Sequence, residues 1–158
     1  MKKQYDVFAD YHQFYISDHH VRPGTILNYD DDDMLRRIKV APFLVAVRVE
    51  RNIIVPVEIE LVHRSPSDKL ENWDHVVEAS LALDSGLLEI HECTGGSVDI
   101  LLVPRGTYRV RVYFSRVSTV SNDWRDRSDC YRIVLWKARD APIKVLKQYV
   151  SSTQRQAV

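Results

Sequence analysis

Several short stretches of this chain gather side chains able to move protons, hold metals or concentrate charge. Asp18-His19-His20, with His12 upstream, offers imidazoles and a carboxylate of the kind that bind zinc. Neighbouring histidines on extended backbone point to opposite sides, and no spaced His or Cys set completes a site, so surface histidines are the plainer reading. Trp73-Asp74-His75 with Glu78 offers an acid beside a base. On a strand Asp74 and Glu78 share one face while His75 takes the other, which leaves no local dyad and makes His75 a sheet residue satisfied by a hydrogen bond. An enzyme built from His12, Asp74 and His75 would need the fold to bring them together.

Asp30-Asp31-Asp32-Asp33 is the densest charge in the chain. It lacks the spaced ligands and central glycine of a calcium loop. As a helix start it gains from the helix dipole. As a partner surface it would imitate the phosphates of a nucleic acid and fill the basic cleft of a nuclease. The remaining catalytic signatures are missing: there is no GxSxG elbow and no phosphate-cradling glycine loop, and Cys93 and Cys130 carry no activating motif. The sequence therefore nominates no catalytic residue, no cofactor site and no metal site. Aromatics are the other resource. Tyr11, Tyr15 and Trp73 could form a stacking platform for sugars or other small ligands, and Trp124, amid charges, could join it or serve a partner-binding loop.

The elements that must position these residues are strands. Apolar and polar residues alternate over 54–64, 73–83, 107–114 and 130–136, the period of a strand with one face on a core. Such alternation belongs to antiparallel sheets. Asp84-Ser85-Gly86 reads as a tight hairpin, Thr94-Gly95-Gly96-Ser97 as another turn, and Pro104-Arg105-Gly106 as the lead into the next strand. The expectation is an all-β, mainly antiparallel two-sheet sandwich of about seven to nine strands over residues 1–150, with a flexible tail at 151–158. One short helix is expected near 30–39, capped by Asn28 or Asp30, with Met34, Leu35 and Ile38 as its apolar stripe. Segments 64–72 and 118–129 read as loops.

The 158 residues carry 22 basic and 22 acidic side chains, a neutral balance that argues against direct nucleic-acid binding. The charges are nevertheless uneven: 50–99 holds eleven acidic and three basic residues, and 105–137 eight basic and three acidic. The two segments are expected to lie side by side and neutralise one another, with Arg109 and Arg111 paired across the sheet to Glu58 and Glu60. No apolar run is long enough to cross a membrane, no signal core follows Met1-Lys2-Lys3, and the two cysteines suit a reducing compartment. A cytoplasmic protein is expected, with a homodimer left open.

Tyr11-His12-Gln13-Phe14-Tyr15-Ile16, Val55-Pro56-Val57-Glu58, the run from Trp73 to Ser80, the run from Gly106 to Tyr113 and Leu135-Trp136 resemble a group of small bacterial β-rich proteins without an established activity. More distantly, the Tyr-His-Gln-Phe opening and the β-rich layout resemble the competence protein J family, whose members are linked to inhibition of a DNA-entry nuclease. That resemblance implies a non-enzymatic inhibitor or immunity-like protein of a bacterial cytoplasm whose partner is another protein. Asp30, Asp31, Asp32, Asp33 and Trp124 in the 118–129 loop are then the candidate contacts. The alternative is a small-ligand or carbohydrate-binding sandwich using Tyr11, Tyr15 and Trp73.

Overall fold

The computed structural model describes residues 1–20, 28–120 and 128–151. Trp124, the middle of the 118–129 loop and the tail beyond residue 151 lie outside the described residues. Among those described, eleven strands form two sheets. In chain order they are β1 (Lys2–Phe8), β2 (Gln13–Asp18), β3 (Ile38–Ala41), β4 (Leu44–Arg48), β5 (Ile54–Leu61), β6 (His75–Leu83), β7 (Leu87–Glu92), β8 (Gly96–Leu102), β9 (Gly106–Ser115), β10 (Cys130–Lys137) and β11 (Lys144–Lys147), with a short helix α1 (Asp31–Arg36) before β3. One sheet runs β1-β5-β10-β9-β6-β11, the other β3-β4-β2-β7-β8.

The alternating residues do what their period requires. Val55, Val57 and Ile59 of β5, Val77, Ala79 and Leu81 of β6, Val110, Val112 and Phe114 of β9, and Ile133 and Leu135 of β10 face inward. They meet Phe14 and Ile16 of β2, Val45 and Val47 of β4, and Leu88 and Ile90 of β7 in one buried cluster. The two-sheet sandwich read from the sequence is the architecture observed. Its strands outnumber the seven to nine expected because the short or charged edge strands β1, β3 and β11 lack a clean alternation.

Four local expectations are corrected. β5 and β10 pair in parallel, so the six-stranded sheet is mixed; some seventy residues separate the two strands, which frees their relative direction. Asp84-Ser85-Gly86 makes a tight turn, with Gly86 N–H donating to Leu83 O at 3.2 Å, but it is no hairpin. It carries the chain from β6 in one sheet to β7 in the other. Gly86 is needed there: its φ is +74° and a Cβ would stand 2.9 Å from Val103 O. The turn at 94–97, by contrast, does join an antiparallel pair, β7 and β8. The helix is shorter than 30–39, because Arg37 takes the left-handed conformation at φ 59° and ends it. Met34 and Leu35 are exposed, and Ile38, the one buried member of the stripe, belongs to β3.

The fourth correction concerns the outer face of the six-stranded sheet, which alternation predicts to be wet. Arg109, Arg111 and Glu78 on that face are 6%, 7% and 8% exposed. Val76, Tyr113, Val134 and Trp136 beside them form a second apolar cluster with Val62, Leu70, Trp73, Ala138 and Leu146. The 62–74 and 138–143 segments strap this face: Arg111 donates to Pro66 O and Ser65 Oγ, and Arg109 to Ala141 O and Pro142 O. The arginines do pair with carboxylates, but with Glu78 at 3.3 and 2.7 Å, because β9 is flanked by β6 and β10. Glu58 and Glu60 sit on β5, one strand further away, and are met by Arg132 of β10 at 3.3 and 2.8 Å. The acidic and basic halves of the chain thus interleave and neutralise.

A loop-bearing end of the sandwich as candidate functional site

β5, β6 and β10 begin, and β1 and β9 finish, at the same end of the sandwich. The 116–129 connection leaves from this end, and both of its roots are fixed. On the first root Arg116 turns the chain at φ 53°, and Val117 N–H donates to Asp74 Oδ2 at 2.9 Å. On the second, Asp129 is 1% exposed and pairs with Arg51 Nε at 2.7 Å while Tyr131 OH donates to its Oδ2 at 2.6 Å. Burial, with the Asp129 carboxylate beside it, pushes the Tyr131 phenol far above its ordinary value, so this hydroxyl remains a donor. Thr119 Oγ1 and Ser128 Oγ, 2.9 Å apart, close the base of the loop.

α1 is held at the same end. Asp30 caps it by accepting Asp33 N–H at 2.7 Å, and Asp33 returns the bond to Asp30 N–H at 3.1 Å. Asp33 is 5% exposed and also takes Lys39 Nζ at 2.6 Å. Burial opposes its ionisation, but the bonds from Lys39 and the Asp30 backbone more than offset this and hold its carboxyl below the usual range. Of the four aspartates, Asp30 and Asp33 are therefore occupied in building the helix. Asp31 and Asp32 are exposed and take no part in these capping bonds.

The residue that ties helix to loop is one that sequence reasoning missed. The Glu50 carboxylate pairs with Arg37, just after α1; its N–H donates to Tyr131 OH at 3.0 Å, and its carbonyl accepts from His12 Nδ1 at 3.1 Å. The one available signal was a charged pair, Glu50-Arg51, closing an apolar run. His75 is fully buried and completes the attachment. Its Nε2 donates to Arg36 O at 2.8 Å and its Nδ1 accepts Tyr149 N–H at 3.1 Å, which dictates the neutral Nε2–H tautomer. Burial lowers its pKa to about 4.

Beside the loop root, on the outer face of the six-stranded sheet, a groove of about 370 Å³ is lined by Asp6, Pro56, Glu58, Trp73, Cys130 and Arg132. The Trp73 ring packs on Tyr113 at 4.8 Å, and the Arg132 guanidinium lies over the same Tyr113 ring at 5.3 Å. Arg132 is shared among Glu58, Glu60 and Asp68.

The other nominated residues are dispersed. Tyr11 rides the turn between β1 and β2 and is 58% exposed, whereas Tyr15 is buried on the outer face of the five-stranded sheet beside Leu44 and Ala46. Trp73 is on the opposite outer face, so Tyr15 and Trp73 do not share a stacking surface. Asp74 and His75 are adjacent but engaged separately, one by Val117 N–H and the other by Arg36 and Tyr149. Asp18 is buried and accepts Ser85 and His20 N–H groups, while His19 Nδ1 meets Glu89 at 3.0 Å. Among the described residues no group of three or more His, Cys, Asp or Glu is placed to hold a metal, and no helix is long and apolar enough to cross a membrane.

No protein-family model and no curated protein matches the chain. Among solved structures it is similar to the crystal structure of ComJ, inhibitor of the DNA degrading activity of NucA, from Bacillus subtilis, with a TM-score of 0.70 and 15% identity over 86% of this chain and 96% of that one. It is also similar to a protein described as crocagin biosynthetic gene J, with a TM-score of 0.58 and 22% identity over 88% of this chain and 98% of that one. The distant resemblance to the competence protein J family read from the Tyr-His-Gln-Phe opening is met at the level of the fold, across nearly the whole of both chains.

Proposed function

We propose that this chain is a non-enzymatic, single-domain binding protein of a bacterial cytoplasm that inhibits a DNA-degrading nuclease, using the end of the sandwich that carries α1 and the 116–129 connection. The observation that carries the reading is the convergence of the two acidic and loop segments. α1, with exposed Asp31 and Asp32, is tied through Glu50 and Tyr131 to the second root of the connection, which meets the first where Thr119 and Ser128 bond. An inhibitor benefits from such preorganisation, since a binding surface fixed before association loses less entropy on binding. Exposed carboxylates suit a nuclease, whose substrate cleft must attract phosphates and is therefore basic. The similarity of fold to ComJ, itself an inhibitor of the DNA degrading activity of NucA, supports the same reading.

The test is direct. The purified protein is added to DNA-degrading nucleases encoded by the same genome, and plasmid cleavage is followed on gels. Stoichiometric suppression of one of them is expected, lost on Asp31→Asn with Asp32→Asn. Unchanged cleavage by every such nuclease, together with no partner recovered from the host lysate, would remove the reading.

A further inference from the structure

We infer that the groove beside the loop root is a receptor for an arginine side chain of a basic protein partner. The inference deepens the reading of this end as a protein-binding surface and rests on it for the identity of the occupant. Its chemistry comes from three features of the groove. The first is a wall of indole: Trp73 lines the cavity and is only partly buried, with one face committed to Tyr113. Tryptophan is the best aromatic acceptor for a guanidinium, and a half-exposed indole bordering a protein-binding end is the residue type most often found to anchor an interface.

The second is charge. The groove is lined by Asp6 and Glu58 against Arg132, with Lys2 paired to Glu58 and with Glu60 and Asp68 paired to Arg132. Lys2 and Arg132 are both spent on these carboxylates, at 3.1 Å from Glu58 for Lys2 and at 2.8 and 3.0 Å from Glu60 and Asp68 for Arg132. Among the described contacts Asp6 is the lining carboxylate left without a cation. Asp6 is exposed and lines the groove near the end of the edge strand β1, where a guanidinium stacked on Trp73 can be met by its carboxylate.

The third is a pattern already built on this face. Arg111 lies 5.3 Å over Trp136 and 5.8 Å over Tyr113, and Arg132 lies 5.3 Å over Tyr113. Guanidinium groups therefore already stack on the rings of this face, while Trp73, packed ring to ring on Tyr113, has no cation on it among these contacts. An incoming arginine on the exposed part of the Trp73 ring repeats that stacking. A cavity of about 370 Å³ is ample for one such side chain and small for a folded element.

The test uses the intact protein and a defined probe. ¹⁵N-labelled protein is titrated with N-acetyl-L-arginine methylamide and, separately, with the citrulline analogue, which has the same shape without the charge. The Trp73 indole N–H signal, identified by its loss in Trp73→Leu, and the Cys130 amide are expected to shift with arginine. Citrulline and the Asp6→Asn variant, whose change is at an exposed position that leaves the fold intact, are each expected to bind about tenfold more weakly. Equal shifts for both probes, or shifts centred away from Trp73 and Cys130, would overturn the inference. The outcome is separable from the inhibitor reading. Arginine binding at Trp73 with every nuclease left active keeps the groove and discards the nuclease. A nuclease suppressed equally by wild type, Trp73→Leu and Asp6→Asn, with the Trp73 signal unmoved by arginine, discards the groove and keeps the inhibitor.

Discussion

Arg51 and Asp129 face each other at 2.7 Å with side chains 5% and 0% exposed, so the second root of the 116–129 connection hangs on an ion pair shut away from water. A buried charge stripped of its partner costs far more than an exposed one, because neither water nor a counter-charge remains to stabilise it.

Asp129→Asn is therefore expected to lower the stability of the protein by about 3–5 kcal/mol, read from urea denaturation. Arg51→Met with Asp129→Leu should cost less than either single change, since an apolar pair leaves no orphaned charge. Equal additive losses would contradict the coupling.

The outer face of the six-stranded sheet makes a parallel case. Among the described residues Glu78 is the carboxylate paired with both Arg109 and Arg111, and backbone carbonyls of the two straps together with the Ser65, Ser80 and Tyr113 hydroxyls accept their other bonds. Glu78→Gln is expected to cost about 3 kcal/mol and to accelerate amide exchange in β6 and the flanking straps. Exchange unchanged in those segments would show that the ladder holds nothing in place.

The aspartate run divides by role. Asp31→Asn with Asp32→Asn should leave the melting temperature within a degree or two while weakening partner inhibition, because both residues are exposed. Asp33→Ala removes a capping bond and the Lys39 contact and is expected to cost about 1–2 kcal/mol. Thermal melts of the two variants separate surface charge from scaffold; a larger loss in the exposed pair would reverse the assignment.

His75 supplies a pH dependence. It is neutral when folded, with its pKa lowered from 6.5 to about 4, so between these values the unfolded chain binds the extra proton. Stability is then full above pH 6.5 and falls as the pH drops towards 4, by about 3 kcal/mol in total from this group. His75→Gln can still donate to Arg36 O and accept Tyr149 N–H without titrating. Denaturation midpoints measured from pH 7 to pH 4 should therefore fall less steeply for His75→Gln than for the wild type, and identical slopes would remove His75 as the cause.

Much of this was legible without coordinates. The alternation of Val55, Val57 and Ile59 or of Val110, Val112 and Phe114 depends only on neighbours two residues away, so the strands and their core faces could be read directly. The absence of a local acid–base dyad at Asp74-His75 followed from the same geometry. Asp30 was readable as one of two candidate helix caps, with Asn28 the other, and the structure chose between them. The Asp84-Ser85-Gly86 turn was readable as a turn, but not as a passage between sheets, because turn chemistry fixes the bend and not the destination of the strand that follows.

The chain by itself determined a β sandwich and the side of each strand that seeks the core, since these are set by local backbone period and by hydrophobicity. Only the tertiary structure decided that Arg109 and Arg111 meet Glu78 and not Glu58 or Glu60, that the polar face of their sheet is dry beneath two straps, and that Glu50 joins α1 to the root of a distant loop. Those outcomes depend on which strands become neighbours and what covers them, and such long-range pairings leave no repeat in the order of the residues.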